Sequence, residues 1–327
     1  MRRLSSNGRI ATVLPSGKLF ILLTCLLAPW ILFAQFRSDT RLVVLHASVN
    51  DRKGKLLTNL ERNAFKVFEN GQPQSVKIFR REDVPVSLGI IIDDSGSMMN
   101  KRARVEAAAV AMVRESNPQD EVFIVNFNDE AYLDVPFTND MHKMEQGLAR
   151  IDSRGGTAMR DAVNMSLDYT AKEAKKDKKV LLIITDGADN ASGISLEKVV
   201  TRANQSDTLV YAIGLFTEEE KREASKARRA LNELTSATGG LAFYPKEVSD
   251  VQSLAVEVAH DIRNQYTIAY TPTIQALDGS YRQIKVVVNA PGKPAVRTRS
   301  GYYATPDMAE TKQTSPALAT TAFANHS

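Results

Sequence analysis

The rhythm of apolar and polar positions changes twice along this chain. Thr40–Asn50 is rich in β-branched residues, and Asn63–Phe68 and Gln74–Phe79 alternate with period two. That alternation is the mark of half-buried strands. Asn70-Gly71 lies between the last two and favours a tight hairpin turn. From Val86 onward, continuous apolar runs alternate with amphipathic stretches. Strands are expected at 86–93, 121–127, 131–137, 179–185, 208–215 and 240–244. Helices are expected at about 100–115, 141–150, 158–173, 195–204, 218–236 and 249–264. Thr217 with Glu220 forms a capping box for the fifth helix. Period two then returns in Tyr266–Thr271, Tyr281–Asn289 and Ala295–Tyr303.

Strand–helix alternation argues a doubly wound, mostly parallel six-stranded α/β sheet with helices on both faces. The segment 131–137 is its antiparallel member, reached by the short turn Asn128-Asp129-Glu130. The flanking strands are too few on either side to bury much apolar area alone. They are expected to join as one small antiparallel β-sandwich into which the α/β part is inserted; two separate β appendages are the alternative. The expected division is 1–35 an N-terminal signal or anchor, 36–84 the first part of the β module, 85–265 the α/β domain, 266–303 the second part of the β module, and 304–327 a disordered tail.

Composition adds little until the N-terminus is set apart. Arg2, Arg3, Arg9 and Lys18 precede Gln35 with no acidic residue among them, and they carry the whole formal excess of +4. The rest of the chain is near neutral, so its charge gives no support to nucleic-acid binding. The same segment holds the apolar run Leu19–Ala34, and its pattern is that of a secretory signal or an uncleaved anchor. Export to the periplasm or beyond is therefore expected. Cys25, the one cysteine, lies within this run. The remainder has no disulfides, thiolate metal sites or cysteine nucleophiles.

Candidate chemistry gathers where the first apolar run stops. Leu88–Ile92 ends abruptly in Asp93-Asp94-Ser95-Gly96-Ser97. A loop leaving the carboxyl end of a parallel strand is where ligands bind in open α/β sheets. Asp93, Ser95 and Ser97 alternate with Asp94 and Gly96, so their oxygens can converge while Asp94 is turned away. Hydroxyl and carboxylate oxygens are hard ligands suited to Mg²⁺ or Mn²⁺. Thr157 follows the glycine pair of Arg154-Gly155-Gly156, and Asp186 ends the apolar run Val180–Ile184. Asp189, three residues on, reads as a solvated loop residue or a helix cap.

The D-x-S-x-S pattern, then a threonine, then an aspartate resembles the metal-ion-dependent adhesion site of von Willebrand factor type A domains. The flanking phrases FKVFENGQPQSVKIFRREDVPVSLGIIIDDSGSM, LTSATGGLAFYP, QYTIAYTP and GYYA extend this likeness to the bacterial exported "VWFA-related" family. The resemblance implies strand order 3-2-1-4-5-6 in the α/β sheet. It also implies hydroxyl ligands from Ser95, Ser97 and Thr157, with Asp93 and Asp186 bound directly or through water. A Mg²⁺ or Mn²⁺ so held keeps an open position for an Asp or Glu carboxylate of a protein partner.

Enzyme readings fare poorly. A phosphotransferase of the Asp-x-Asp type lacks its second carboxylate, because Ser95 stands there. His46, His142, His260 and His326 are scattered, and none adjoins a serine in a nucleophile elbow. The basic helix from Glu218 to Arg229 interleaves both signs and reads as a solvated face. Two readings remain. One is a metal-dependent adhesion-type binding module, and the other is a structural or assembly component of the envelope whose metal only organises loops.

Overall fold

The computed structural model describes residues 42–305, apart from 82, 116, 149–153 and 217–220. The N-terminal segment with Cys25, the Thr217/Glu220 capping box, and nearly all of the tail with His326 lie outside the described residues.

The central layer is built from the apolar runs. β5 (Val86–Asp93) is buried at all eight residues. It lies parallel to β6 (Glu121–Phe127) on one side and β8 (Lys178–Thr185) on the other. β9 (Thr208–Gly214) and β10 (Ala242–Phe243) extend the sheet beyond β8, and β7 (Ala131–Thr138) closes the far edge antiparallel to β6. The order β10-β9-β8-β5-β6-β7 is 3-2-1-4-5-6 read from β7, counting strands from β5. Burial on both faces explains why the strands read as runs rather than alternations. Successive residues of β5 point to opposite faces: Ile90 and Ile92 join one core, Ile91 the other.

Among the described residues, three helices cover each face. α1 (Arg102–Arg114), α2 (Met141–Leu148) and α6 (Val251–Arg263) bury residues such as Met112, Met144 and Val258 with Ile90 and Ile92. On the other face, α3 (Met159–Glu173), α4 (Leu196–Gln205) and α5 (Lys221–Thr238) pack Leu167, Val199 and Leu231 around Ile91 and Phe123. Local chemistry sets the ends: Ser195 caps α4 by accepting from Lys198 N. Past α5, Gly239 takes φ of +89°, and the amides of Gly239 and Gly240 both return to Thr235 O.

The flanking strands join as expected. β1 (Val43–Asn50) and β11 (Tyr266–Tyr270) pair antiparallel, as do β2 (Phe65–Glu69) and β12 (Tyr281–Val288). Two four-stranded sheets result, β13-β1-β11-β4 and β14-β12-β2-β3. Here β3 is Gln72–Gln74, β4 Val76–Arg80, β13 Ala295–Arg297 and β14 Gly301–Tyr303. Leu45, Val67, Ile268 and Val286 fill the space between the sheets.

Two expected strands are cut by this closure. Gln74–Phe79 is not a single strand: β3 pairs with β2 in one sheet, and after Ser75 β4 pairs with β11 in the other. Ala295–Tyr303 likewise breaks at 298–300, with β13 on β1 and β14 on β12. Strands that change sheets make the corners of a sandwich. The hairpin between β2 and β3 does turn at Asn70 and Gly71, both at positive φ as a type I′ turn requires.

Sandwich and α/β layers belong to one compact unit. A buried polar cluster ties them together. Asp261 on α6 accepts from Tyr211 Oη on β9 at 2.6 Å and from Arg297 on β13. Gln265 donates to Tyr211 Oη at 3.0 Å and to Ser48 Oγ on β1 at 3.2 Å. Burial and the neighbouring Asp261 push the Tyr211 hydroxyl far up, so it remains a donor. Among the described residues, no helix is long and apolar enough to cross a membrane.

Candidate functional site

Asp93 is the last residue of β5, 1% exposed, and its two oxygens are engaged on opposite sides. Ser95 N donates to Oδ1 at 2.9 Å, which turns the chain sharply out of the sheet. Thr185 Oγ1, at the end of β8, donates to Oδ2 at 2.5 Å. Burial raises the Asp93 carboxyl to about 6, against the pull of the hydrogen bonds from Ser95 and Thr185. Asp94 is also buried, and its amide donates to Phe127 O at 2.7 Å at the end of β6. A single 3-10 turn, Gly96–Met98, follows, anchored by the buried Met98.

Asp186 follows β8 directly. Ser97 Oγ donates to Asp186 Oδ1 at 2.7 Å, and the Ser95 and Ser97 hydroxyls lie 3.1 Å apart. Thr157 is buried beside the loop that follows Asp186; a Cβ at Gly187 would stand 3.3 Å from its Oγ1. The structure therefore brings Asp93, Ser95, Ser97 and Asp186 into one hydrogen-bonded group, with Thr157 against the residue that follows Asp186. The group sits between the carboxyl ends of β5 and β8, where the winding of the sheet reverses.

Residues 88–188 match the family model described as von Willebrand factor type A domain. Over residues 88–188 this chain carries a von Willebrand factor type A domain. An uncharacterized protein of Borreliella burgdorferi (strain ATCC 35210 / DSM 4680 / CIP 102532 / B31) is 27% identical over 143 residues, which are 38% of this chain and 41% of that relative. Solved structures similar to this chain include the vWF domain of the type V pili tip protein Mfa5 from Porphyromonas gingivalis. It is 11% identical with a TM-score of 0.46, over 55% of this chain and 95% of that one. A von Willebrand factor type A protein from Catenulispora acidiphila is 12% identical with a TM-score of 0.48, over 83% of this chain and 75% of that one.

The oxygens of the A domain cluster suit a small hard cation. An octahedral Mg²⁺ with bonds of about 2.1 Å has neighbouring ligand oxygens about 3 Å apart. The Ser95–Ser97 and Ser97–Asp186 separations of 3.1 and 2.7 Å bracket that edge. Among the described residues, no three His, Cys, Asp or Glu side chains are grouped to hold a metal. The candidate set is of another kind, with three hydroxyls supplementing the two carboxylates. Asp93 has two lone pairs beyond its hydrogen bonds, enough to accept from a cation-bound water.

Several residues that hold these loops give little sign of that role in the sequence. Asp129 Oδ1 accepts from Gly156 N at 2.8 Å, and Asn190 Oδ1 accepts from Thr157 N at 2.8 Å. These side chains lie so close that a Cβ at Gly155 would meet Asp129 Oδ2 at 2.2 Å, while Gly155 itself needs φ of +78°. Such contacts explain the glycine pair before Thr157. Asp189 is not a solvated loop residue. Its side chain is 7% exposed and accepts from Arg160 N at 2.7 Å, Arg160 Nη2 at 2.8 Å and Ser192 Oγ at 2.7 Å. It therefore clamps the start of α3, just after Thr157, to the loop after Asp186. Lys101 is another such residue: its ammonium pairs with Asp186 Oδ2. The available signal was a lysine at the mouth of a helix, where a cation opposes the helix dipole.

Proposed function

We propose that this chain is an exported, divalent-cation-dependent protein-binding module. In this reading Ser95, Ser97, Thr157 and Asp186 hold Mg²⁺ or Mn²⁺, and Asp93 holds a cation-bound water. The observation that carries it is the Ser97–Asp186 hydrogen bond, which closes an all-oxygen cluster between the carboxyl ends of β5 and β8. Bound there, the cation supplies a Lewis-acidic position for an Asp or Glu of the partner. The chain's own part is to fix the oxygens. Asp93 orients Ser95, Asp186 orients Ser97, and Asn190 with Asp189 sets the Thr157 loop. Few formal charges on the ligands leave the cation attractive to an outside carboxylate. Export rests on the N-terminal signal-like segment.

The second reading is an envelope assembly component in which the cation only orders loops. The Lys101–Asp186 pair favours it, because a resident cation already ties these loops together. Chelation separates the two readings. Mn²⁺ binding to the full chain is measured first, beside Asp186→Ala and Ser97→Ala. Partner capture is then compared in Mg²⁺ and in EDTA. The binding module requires metal binding that both substitutions weaken, and capture that EDTA abolishes. Capture indifferent to EDTA supports the assembly component. Absence of Mn²⁺ binding refutes the cation site.

A further inference from the structure

The ammonium of Lys101 stands on the same carboxylate that the cation reading assigns to the metal. Asp186 gives Oδ1 to Ser97 and Oδ2 to Lys101. Its side chain is fully buried and that of Lys101 is 15% exposed, so the pair is shielded from solvent. Nothing in α1 itself calls for this lysine. Lys101 is at the N-cap, makes no side-chain cap, and is followed by Arg102 and Arg104 in a first turn with no acidic residue. A helix N-terminus favours anions, so this placement opposes the dipole. Arg102 is matched within the helix by Glu106 at 2.9 Å. Lys101 instead reaches across to the neighbouring loop.

We propose that Lys101 is the built-in counter-ion of the metal site, competing with the divalent cation for Asp186 and setting how tightly that cation binds. This inference rests on the cation reading above. A buried carboxylate left without a counter-charge is strongly unfavourable, so in the metal-free protein Lys101 neutralises Asp186. Two cations held by the two oxygens of one buried carboxylate repel each other strongly in a poorly screened site. Entry of Mg²⁺ or Mn²⁺ then displaces the ammonium, whose four-carbon stem lets it swing toward solvent. The site thereby alternates between a lysine-closed form and a metal-open form. The gain on metal binding is reduced by the ion pair that is broken.

The test uses Mn²⁺ alone as probe on the full chain. Binding is followed by loss of the free-Mn²⁺ resonance for wild type, Lys101→Gln and Lys101→Arg. Folding of each is checked by circular dichroism. Removing the competing charge should tighten Mn²⁺ binding by about tenfold or more in Lys101→Gln, whereas Lys101→Arg, which keeps the charge, should not tighten it. In wild type, acylation of Lys101 mapped by mass spectrometry should rise when Mn²⁺ is added. That arm decides the matter if Lys101→Gln does not fold. Equal Mn²⁺ affinity in wild type and Lys101→Gln, or Lys101 acylation unchanged at saturating Mn²⁺, overturns the displacement and leaves the metal site standing. No Mn²⁺ binding by any of the proteins overturns both.

Discussion

Ser97 Oγ donates to Asp186 Oδ1 at 2.7 Å, joining two loops that lie 89 residues apart in the chain. The hydroxyl and the carboxylate thus stand at the spacing of adjacent ligands of a small cation. Substituting either should remove a ligand. For a site of millimolar affinity, ~10 mM Mg²⁺ stabilises the folded state by about 1.4 kcal/mol through mass action. In a chain of this size that is a rise of a few degrees at most. The rise should be present in wild type and absent in Asp186→Ala, as read by thermal melts with EDTA and with added Mg²⁺. A rise that persists in Asp186→Ala would place the metal elsewhere.

Asp93 should trade stability against function. Its carboxylate is buried and held up to about 6, the mark of an ionised group that the fold disfavours. An asparagine there keeps an oxygen to accept from Ser95 N, and the Thr185 hydroxyl can turn round to accept from the new amide. Asp93→Asn should therefore melt at or above the wild-type temperature in EDTA and gain less from Mn²⁺ than wild type does. A clear fall in the EDTA melting temperature would contradict this account.

Asp189 should matter to the site without touching it. It accepts from the backbone and side chain of Arg160 and from Ser192 while its side chain is 7% exposed. Asp189→Ala leaves these donors unmatched in a poorly hydrated place, a loss of about 3 kcal/mol. Chemical denaturation should show it. Mn²⁺ affinity should fall as well, because the Thr157 loop loses its clamp.

The junction between the α/β layers and the sandwich should unfold as part of one transition. Asp261 accepts from both Tyr211 and Arg297. Removing one hydroxyl in Tyr211→Phe should cost about 1 kcal/mol. Arg297→Met should cost about 3 kcal/mol, because it strips the buried carboxylate of its cation. Calorimetry should show a single peak for wild type, moved down in both variants. Two separate peaks in wild type would refute the coupling.

Lys178 should give the protein a characteristic alkaline response. Its Nζ donates to Ile262 O, and burial brings its ammonium down to about 7 even though Asp261, Asp83 and Asp120 oppose the shift; Arg263 lowers it further. In the unfolded chain the same group keeps its proton to about 10.4. Between these values the unfolded state holds more protons, so the unfolding free energy rises with pH, by at most about 1.4 kcal/mol per pH unit. Denaturation midpoints from pH 7 to pH 10 should show the rise, and Lys178→Met should flatten it.

What the sequence by itself determined is what short-range periodicity can encode. Ile90-Ile91-Ile92 is apolar at every position because both faces of β5 are covered, and that run is legible without knowing the neighbours. β12 is legible less cleanly: its buried and exposed residues alternate, but Arg282 is buried and Tyr281 and Val287 are exposed. Asp93, Ser95 and Ser97 were legible as a group because the turn that gathers them is local. Only the tertiary structure decided which sheet each half of Gln74–Phe79 and Ala295–Tyr303 joins. Both sheets accept the same alternating pattern, and the choice rests on partners such as β1 and β11, more than two hundred residues apart. Only the tertiary structure turned Asp129, Asn190 and Asp189 into supports of the site and set Lys101 on Asp186. A short polar side chain in a loop, or a lysine at a helix end, looks solvated in sequence; its role comes from the distant backbone amide or carboxylate that the fold sets beside it, where water is excluded and the pairing becomes strong.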